Sequence, residues 1–165
     1  MKNNKTVAIV PGSFDPITYG HVDIAKRAAQ LYDKVYVAVM INDQKKYMLT
    51  IEEREAVARL ALEDINNVEV ISSTGMLWQL AKELGADAIV KGYRNKTDYD
   101  YEIKMAEFNA KYCPEAKTVL LRSDDKLEAL SSTMVRERIQ NNDPLDGLLP
   151  PKALEELKVI LNKFS

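Results

Sequence analysis

The sequence predicts an α/β fold, a doubly wound five-stranded parallel sheet with helices on both faces and further helices at the carboxyl end. Three observations lead there. Short β-branched runs alternate with longer segments of helical period, which is the pattern of successive βαβ units. The runs are apolar almost throughout, as strands covered on both faces need to be. The chain has 165 residues, the common size of one domain and enough to bury a core, so residues 1–165 are expected to form a single domain.

The first strand is Thr6 to Val10, where Val7, Ala8, Ile9 and Val10 run together. A helix follows from near Gly20, with Val22, Ala25, Ala29 and Tyr32 on one face. Val35 to Met40 forms the second strand. The second helix starts at Thr50, which makes a capping box with Glu53, and continues in the stripe Val57, Leu60 and Ala61. The third strand, Val68 to Ile71, precedes a helix from about Met76 to Leu84 that stops at Gly85, a residue suited to the left-handed position ending helices. Ala88 to Val90 is the fourth strand, about Asp98 to Tyr112 the fourth helix, and Thr118 to Leu121 the fifth strand. A polar loop leads to a helix from about Thr133 to Gln140 and then a turn through Asp143, Pro144 and Gly147. The last helix begins near Pro151 and repeats Leu154, Leu157, Leu161 and Phe164. No repeat, low-complexity tract or linker interrupts this Rossmann-like succession.

Composition narrows the partners. A formal net charge of -2, from 23 basic and 25 acidic residues, provides no surface for nucleic acid, so any anion site must be local. Nowhere do 18 apolar residues run together, so no membrane span is expected. Met1 to Val10 lacks the h-region and cleavage site of a signal peptide, which makes a cytoplasmic location the expectation. The single cysteine, Cys113, allows no internal disulfide and no multi-cysteine zinc site. With no histidine or positive cluster beside it, Cys113 reads as a small apolar filler.

In an open α/β sheet, ligands bind beyond the carboxyl ends of the strands, where strand order reverses. With the order 3-2-1-4-5, which the succession permits, the loops after strands one and four meet there. One is Pro11-Gly12-Ser13-Phe14-Asp15-Pro16-Ile17-Thr18-Tyr19-Gly20-His21 and the other is Lys91-Gly92-Tyr93-Arg94. The sequence holds no G-x-x-x-x-G-K-[ST], G-x-G-x-x-G or G-x-S-x-G motif and no pair of histidines, so kinase, dehydrogenase, esterase and zinc-site readings lose support. What remains is a loop of small residues leading into a helix, whose free N–H groups and positive dipole end favour phosphate. His21, the only histidine, stands at that helix start. It either faces a bound phosphate or caps the turn, and spacing alone leaves both open.

Here the chain resembles a family. Gly12-Ser13-Phe14-Asp15-Pro16-Ile17-Thr18-Tyr19-Gly20-His21 is similar to the GxFDPxTxGH form of the signature of HxGH nucleotidylyltransferases, and threonine at position 18 is typical of phosphopantetheine adenylyltransferases. Leu130-Ser131-Ser132-Thr133-Met134-Val135-Arg136 matches the second signature, ISSTxxR, except at its first residue. Lys45-Lys46 follows strand two, and Tyr101-Glu102-Ile103-Lys104-Met105-Ala106 resembles a YExxMA helix. The resemblance therefore runs from about Val7 to Arg136.

The resemblance implies transfer of AMP from ATP to 4′-phosphopantetheine, giving dephospho-coenzyme A and pyrophosphate by direct attack without a covalent enzyme intermediate. It makes His21 a donor to the α-phosphate, Ser13 and the Phe14 N–H phosphate ligands, and Lys45 the cation that follows the acceptor phosphate. Leu77 and Lys91 join Ser13 and Lys45 on the acceptor. Gly92, Tyr93, Arg94, Glu102 and the segment Leu127, Glu128, Ala129, Leu130, Ser131, Ser132 and Thr133 join His21 on ATP. Each has a plainer alternative: Lys45 a solvated loop lysine, Arg94 a surface ion pair with Asp98 or Asp100, Glu102 an acid favoured by its helix dipole, the serines N-caps, Met76 and Leu77 core. Trp78 is unassigned. Lys91 departs from the family's usual arginine and lacks its planar fork. The resemblance further implies Mg²⁺ carried by substrate phosphates and water, with no dedicated protein metal site, a homohexamer, and coenzyme A as an inhibitor. The alternatives are the same chemistry on nicotinate mononucleotide or with CTP, and a non-catalytic nucleotide-binding module. A receiver domain is disfavoured, because Ile71-Ser72-Ser73 supplies no aspartate at the end of strand three.

Overall fold

The computed structural model describes residues 5–162. Its elements, in chain order, are β1 (Val7–Gly12), α1 (Tyr19–Leu31), β2 (Lys34–Met40), α2 (Ile51–Leu62), β3 (Val68–Ser73), α3 (Leu77–Leu84), β4 (Ala88–Tyr93), α4 (Lys96–Tyr112), β5 (Lys117–Arg122), α5 (Ser132–Gln140) and α6 (Pro151–Asn162). All strand pairs are parallel and the order is β3-β2-β1-β4-β5. Val10 pairs with Val37, Ile9 with Ile89, Val37 with Val70 and Val90 with Val119. Strand order reverses on either side of β1, which brings the carboxyl ends of β1 and β4 together.

Alternation along the strands explains why so many of their residues are apolar. Ala8, Val10, Val35, Val37, Val39 and Val90 pack on one face against Ile24, Ala25 and Ala28 of α1, Val57 and Ala58 of α2, and Leu154 and Leu157 of α6. Ile9, Ala38 and Ile89 face the other way, against Leu80 and Ala81 of α3. A strand buried on both faces cannot show a period of two. Each buried Val or Ile contributes about 1.5 to 3 kcal/mol over leaving it in water, so the sheet core, and not helix propensity, holds the frame. Cys113 is a buried free thiol within the second cluster, filling space as expected. Gly85 ends α3 at φ 61°, in the left-handed conformation. Thr50 and Glu53 form their capping box.

Several boundaries differ from expectation. β1, β3 and β4 each run two or three residues beyond the apolar segment, so Lys91, Gly92 and Tyr93 belong to a strand and not to a loop. Backbone pairing carries the ladder through Pro11-Gly12, Ser72-Ser73 and Lys91-Gly92-Tyr93 without needing apolar side chains. α4 starts at Lys96 because the Asn95 side chain caps it, accepting from the Asp98 N–H at 2.9 Å. A single 3₁₀ turn, Asp125–Leu127, interrupts the polar loop. Of the stripe expected on the last helix, Leu154 and Leu157 are buried, whereas Phe164 lies outside the described residues.

Candidate active site

A cleft of about 1000 Å³ opens over the carboxyl ends of β1 and β4, lined among others by Ser13, Phe14, His21, Lys45, Lys91 and Arg94. The loop leaving β1 is its floor. Phe14 has φ 49°, a left-handed conformation that costs a non-glycine residue about 1 to 2 kcal/mol and persists only where the surroundings enforce it. They do so heavily. The Asp15 carboxylate, 2% exposed as a residue, accepts from the Met48 N–H at 2.9 Å and the Leu49 N–H at 3.0 Å. Arg136 of α5 donates to the Asp15 carbonyl at 2.8 Å, and the Ser132 hydroxyl donates to the Pro16 carbonyl at 2.7 Å. Both anchors come from the Ser131 to Arg136 segment, so the two signatures found far apart in the sequence bind one another directly.

His21 both caps and faces the cleft. Thr18 is the N-cap of α1, and its hydroxyl accepts from the Gly20 N–H at 3.2 Å. The Thr18 N–H, in turn, donates to His21 Nδ1 at 3.0 Å. An accepting Nδ1 assigns the ring proton to Nε2, leaving that N–H as the donor available for a ligand. The Phe14 ring meets the imidazole edge to face, centroids 5.1 Å apart. Burial, followed by the charges of Lys91 and Arg94, pushes the imidazole down from its ordinary 6.5 to about 4. At neutral pH it is therefore an uncharged hydrogen-bond donor.

The cations differ in their engagement. Lys45 is exposed on the loop after β2, and no ion pair among the described residues involves it. Lys91 Nζ lies 3.3 Å from Oε2 of Glu102, a buried carboxylate on the inner face of α4. Arg94 Nε contacts Asp98 Oδ2 at 3.0 Å, the plainer alternative weighed for it, while still lining the cleft. Gly92 has a packing reason to be glycine: a Cβ there would sit 2.9 Å from Ile24 Cγ1, so only glycine lets α1 lie this close to β4. Ser131 caps α5 by accepting from the Met134 N–H at 3.1 Å.

Sequence comparison fits this geometry. Residues 9–138 match the cytidylyltransferase-like family. Over 154 residues the chain is 45% identical to the phosphopantetheine adenylyltransferase of Lactobacillus acidophilus, covering 93% of this chain and 96% of that protein. It is 44% identical to the one of Caldanaerobacter subterraneus subsp. tengcongensis, covering 92% and 94%, and 42% identical to the one of Alkaliphilus metalliredigens, covering 92% and 96%. The chain belongs to the phosphopantetheine adenylyltransferase family.

Not every position singled out in this phosphopantetheine adenylyltransferase family member reaches the cleft wall. Ser13, Phe14, His21, Lys45, Leu77, Lys91, Gly92, Arg94, Glu102, Leu130, Ser131 and Ser132 do. Tyr93, Leu127, Glu128, Ala129 and Thr133 do not line it. The Tyr93 ring packs on Tyr99, centroids 5.0 Å apart, and the Thr133 hydroxyl accepts from Arg136 Nη2 at 3.0 Å. Leu127 to Ala129 belong to and follow the 3₁₀ turn capped by Asp124. Met76 and Leu77 both line the cleft, Leu77 also packing against the second apolar cluster, and Trp78 stacks on Tyr112 at 5.0 Å. On the α4 wall the sequence reading assigned Glu102 alone and gave no role to Tyr101, Met105, Phe108 or the buried Asn109. Its signal was present: Glu102 and Asn109 lie seven positions apart, two turns on one helix face where only apolar residues are normally buried.

Proposed function

We propose that the chain transfers the adenylyl group of ATP to 4′-phosphopantetheine, giving dephospho-coenzyme A and pyrophosphate. An oxygen of the acceptor phosphate attacks the α-phosphorus while the bond to the bridging oxygen breaks and pyrophosphate leaves with the electron pair. The attacking oxygen is already anionic, so no general base is required. The work left to the protein is positioning and stabilisation of charge on the α-phosphate oxygens. The observation that carries this reading is His21: a neutral imidazole whose Nδ1 is occupied and whose Nε2–H is free at a helix N-terminus.

In this reading His21 Nε2–H donates to a non-bridging α-phosphate oxygen, and Ser13 with the Phe14 N–H holds phosphate. Lys45, Leu77 and Lys91 serve the acceptor, and Gly92, Arg94, Glu102 and Leu130 to Ser132 serve ATP. Lys91 reaches the acceptor from its ion pair with Glu102, so it acts as a shared cation and not a free one. Mg²⁺ bound with ATP would neutralise polyphosphate charge. Of the acids lining the cleft, Asp98 and Glu102 are engaged by Arg94 and Lys91, which leaves Asp43 and the substrate phosphates as the groups that would meet such an ion.

The reading includes a cytoplasmic homohexamer with coenzyme A as a competitor, since coenzyme A carries the acceptor's pantetheine arm. Exposed Tyr101, Phe108 and Tyr112 on α4 support a partner or ligand surface beside the cleft. No helix among the described residues is long and apolar enough to cross a membrane. The test is an acceptor panel with ATP and Mg²⁺, following pyrophosphate. Release with phosphopantetheine is expected; release with nicotinate mononucleotide alone would refute the substrate, and none with any acceptor would refute the enzyme.

A further inference from the structure

We propose that Arg54 and Tyr47 form a positioning relay that fixes Lys45 over the acceptor side of the cleft, an inference that rests on the role given to Lys45 above. Arg54 stands in the first turns of α2 and is 2% exposed, yet no ion pair among the described residues involves it. Its Nη1 donates to two backbone carbonyls, Ser13 at 2.8 Å and Met40 at 3.2 Å, while its Nε has no hydrogen-bond partner among the described residues. A buried cation without a carboxylate is an expensive way to fill space, and an apolar side chain of similar volume would serve stability as well or better. Packing alone therefore does not account for an arginine here.

Its contacts do. Ser13 opens the phosphate loop and Met40 ends β2, so one guanidinium ties together the two segments that face the acceptor. The same guanidinium lies 4.0 Å from the centroid of the Tyr47 ring. The Tyr47 hydroxyl accepts from the Asn42 N–H at 2.7 Å. Asn42 then closes the turn that carries the lysine: its carbonyl accepts from the Lys45 N–H at 2.9 Å and its Oδ1 from the Gln44 N–H at 2.9 Å. Lys45 itself is exposed and has no ion-pair partner among the described residues, so its placement depends on that turn. A long flexible side chain contributes most to catalysis when its backbone is held in advance.

The test is steady-state kinetics of Tyr47→Phe, Lys45→Ala and the double variant with ATP and phosphopantetheine, each with a thermal melt and an ATP affinity. Tyr47→Phe keeps the ring on Arg54 and removes only the acceptor of the Asn42 N–H. It should raise the KM for phosphopantetheine roughly 2- to 10-fold, the worth of one hydrogen bond, with ATP affinity unchanged. In the Lys45→Ala background it should add nothing, because two residues acting through one group are not additive. Arg54→Met should raise the same KM further and Arg54→Lys should recover part of the loss; if Arg54→Met does not fold, Tyr47→Phe decides alone. The relay is overturned if Tyr47→Phe lowers the melting temperature with an unchanged KM, or if its effect multiplies on that of Lys45→Ala. A wild-type KM in Lys45→Ala would instead overturn the role of Lys45 itself.

Discussion

Replacing His21 separates the two jobs that the imidazole performs. In His21→Ala the Thr18 N–H loses its acceptor, and Thr18 is only 1% exposed, so a buried donor is left unpaired at a cost of about 1 to 3 kcal/mol. The edge-to-face contact with Phe14 goes too, worth roughly 0.5 to 1.5 kcal/mol. Loss of the Nε2–H should cost the transition state about 2.7 to 4 kcal/mol, a rate reduction of a hundredfold to a thousandfold. His21→Glu restores one function without the other. Glutamate three residues after a threonine N-cap re-forms the capping box and suits the helix dipole, so most of the stability should return. Turnover should not, because a carboxylate cannot donate and repels phosphate. Urea denaturation reports the first quantity and single-turnover pyrophosphate release the second. A folded His21→Ala enzyme with near-normal turnover, or a His21→Glu enzyme that regains it, would refute the assignment of Nε2 as the transition-state donor.

The remaining predictions concern charge and packing. As His21 is the only histidine, its ring resonances titrate without ambiguity by NMR and should give a pKa near 4; a value near 6.5 would contradict its burial beside Lys91 and Arg94. The sign for stability follows, since the unfolded chain takes its proton first: this group removes stability as the pH falls from 6.5 towards about 4 and leaves it unaffected above. Lys45→Ala should raise the KM for the acceptor while calorimetry without acceptor finds ATP affinity intact, and an equal loss of both would misplace Lys45. Lys91→Arg should remain active within a few-fold, because a guanidinium keeps the contact with Glu102 at the same wall; an inactive, folded variant would show that the lysine is itself required. Gly92→Ala should lose about 1 to 3 kcal/mol in urea denaturation, as its Cβ would meet Ile24 at 2.9 Å, and an unchanged midpoint would mean that α1 moves freely over β4.

Much of the frame could be read from the chain because burial on both faces leaves a mark: Val35 to Val39 and Ala88 to Val90 are apolar at nearly every position. The strand ends were hidden for the complementary reason. Ser72-Ser73 and Lys91-Gly92-Tyr93 continue the ladder through backbone pairing alone, so the apolar signal stops before the strand does, and Lys91 and Gly92 of that extension line the cleft. Within the site, the loop from Gly12 was legible from small residues running into a helix start, whereas spacing left His21 open between cap and ligand and only the family resemblance gave it a role. Asp15, Arg54 and Arg136 were not assigned because their work is three-dimensional. Each binds backbone groups dozens of residues away, and no local spacing announces such a bond. Apart from Glu102, the α4 wall went unread because a helix that is half cleft lining and half surface shows a weak stripe.

The bonds from Ser132 to Pro16 and from Arg136 to Asp15 span 116 and 121 residues of sequence. During synthesis the phosphate loop thus leaves the ribosome long before its clamps do. The early strands can pair, and Met48, Leu49 and Arg54 can already hold Asp15 and Ser13, while the bonds that fix the Asp15 and Pro16 carbonyls wait until α5 arrives. Completion of the phosphate loop therefore waits on the second signature, a step separate from building the first strands of the sheet.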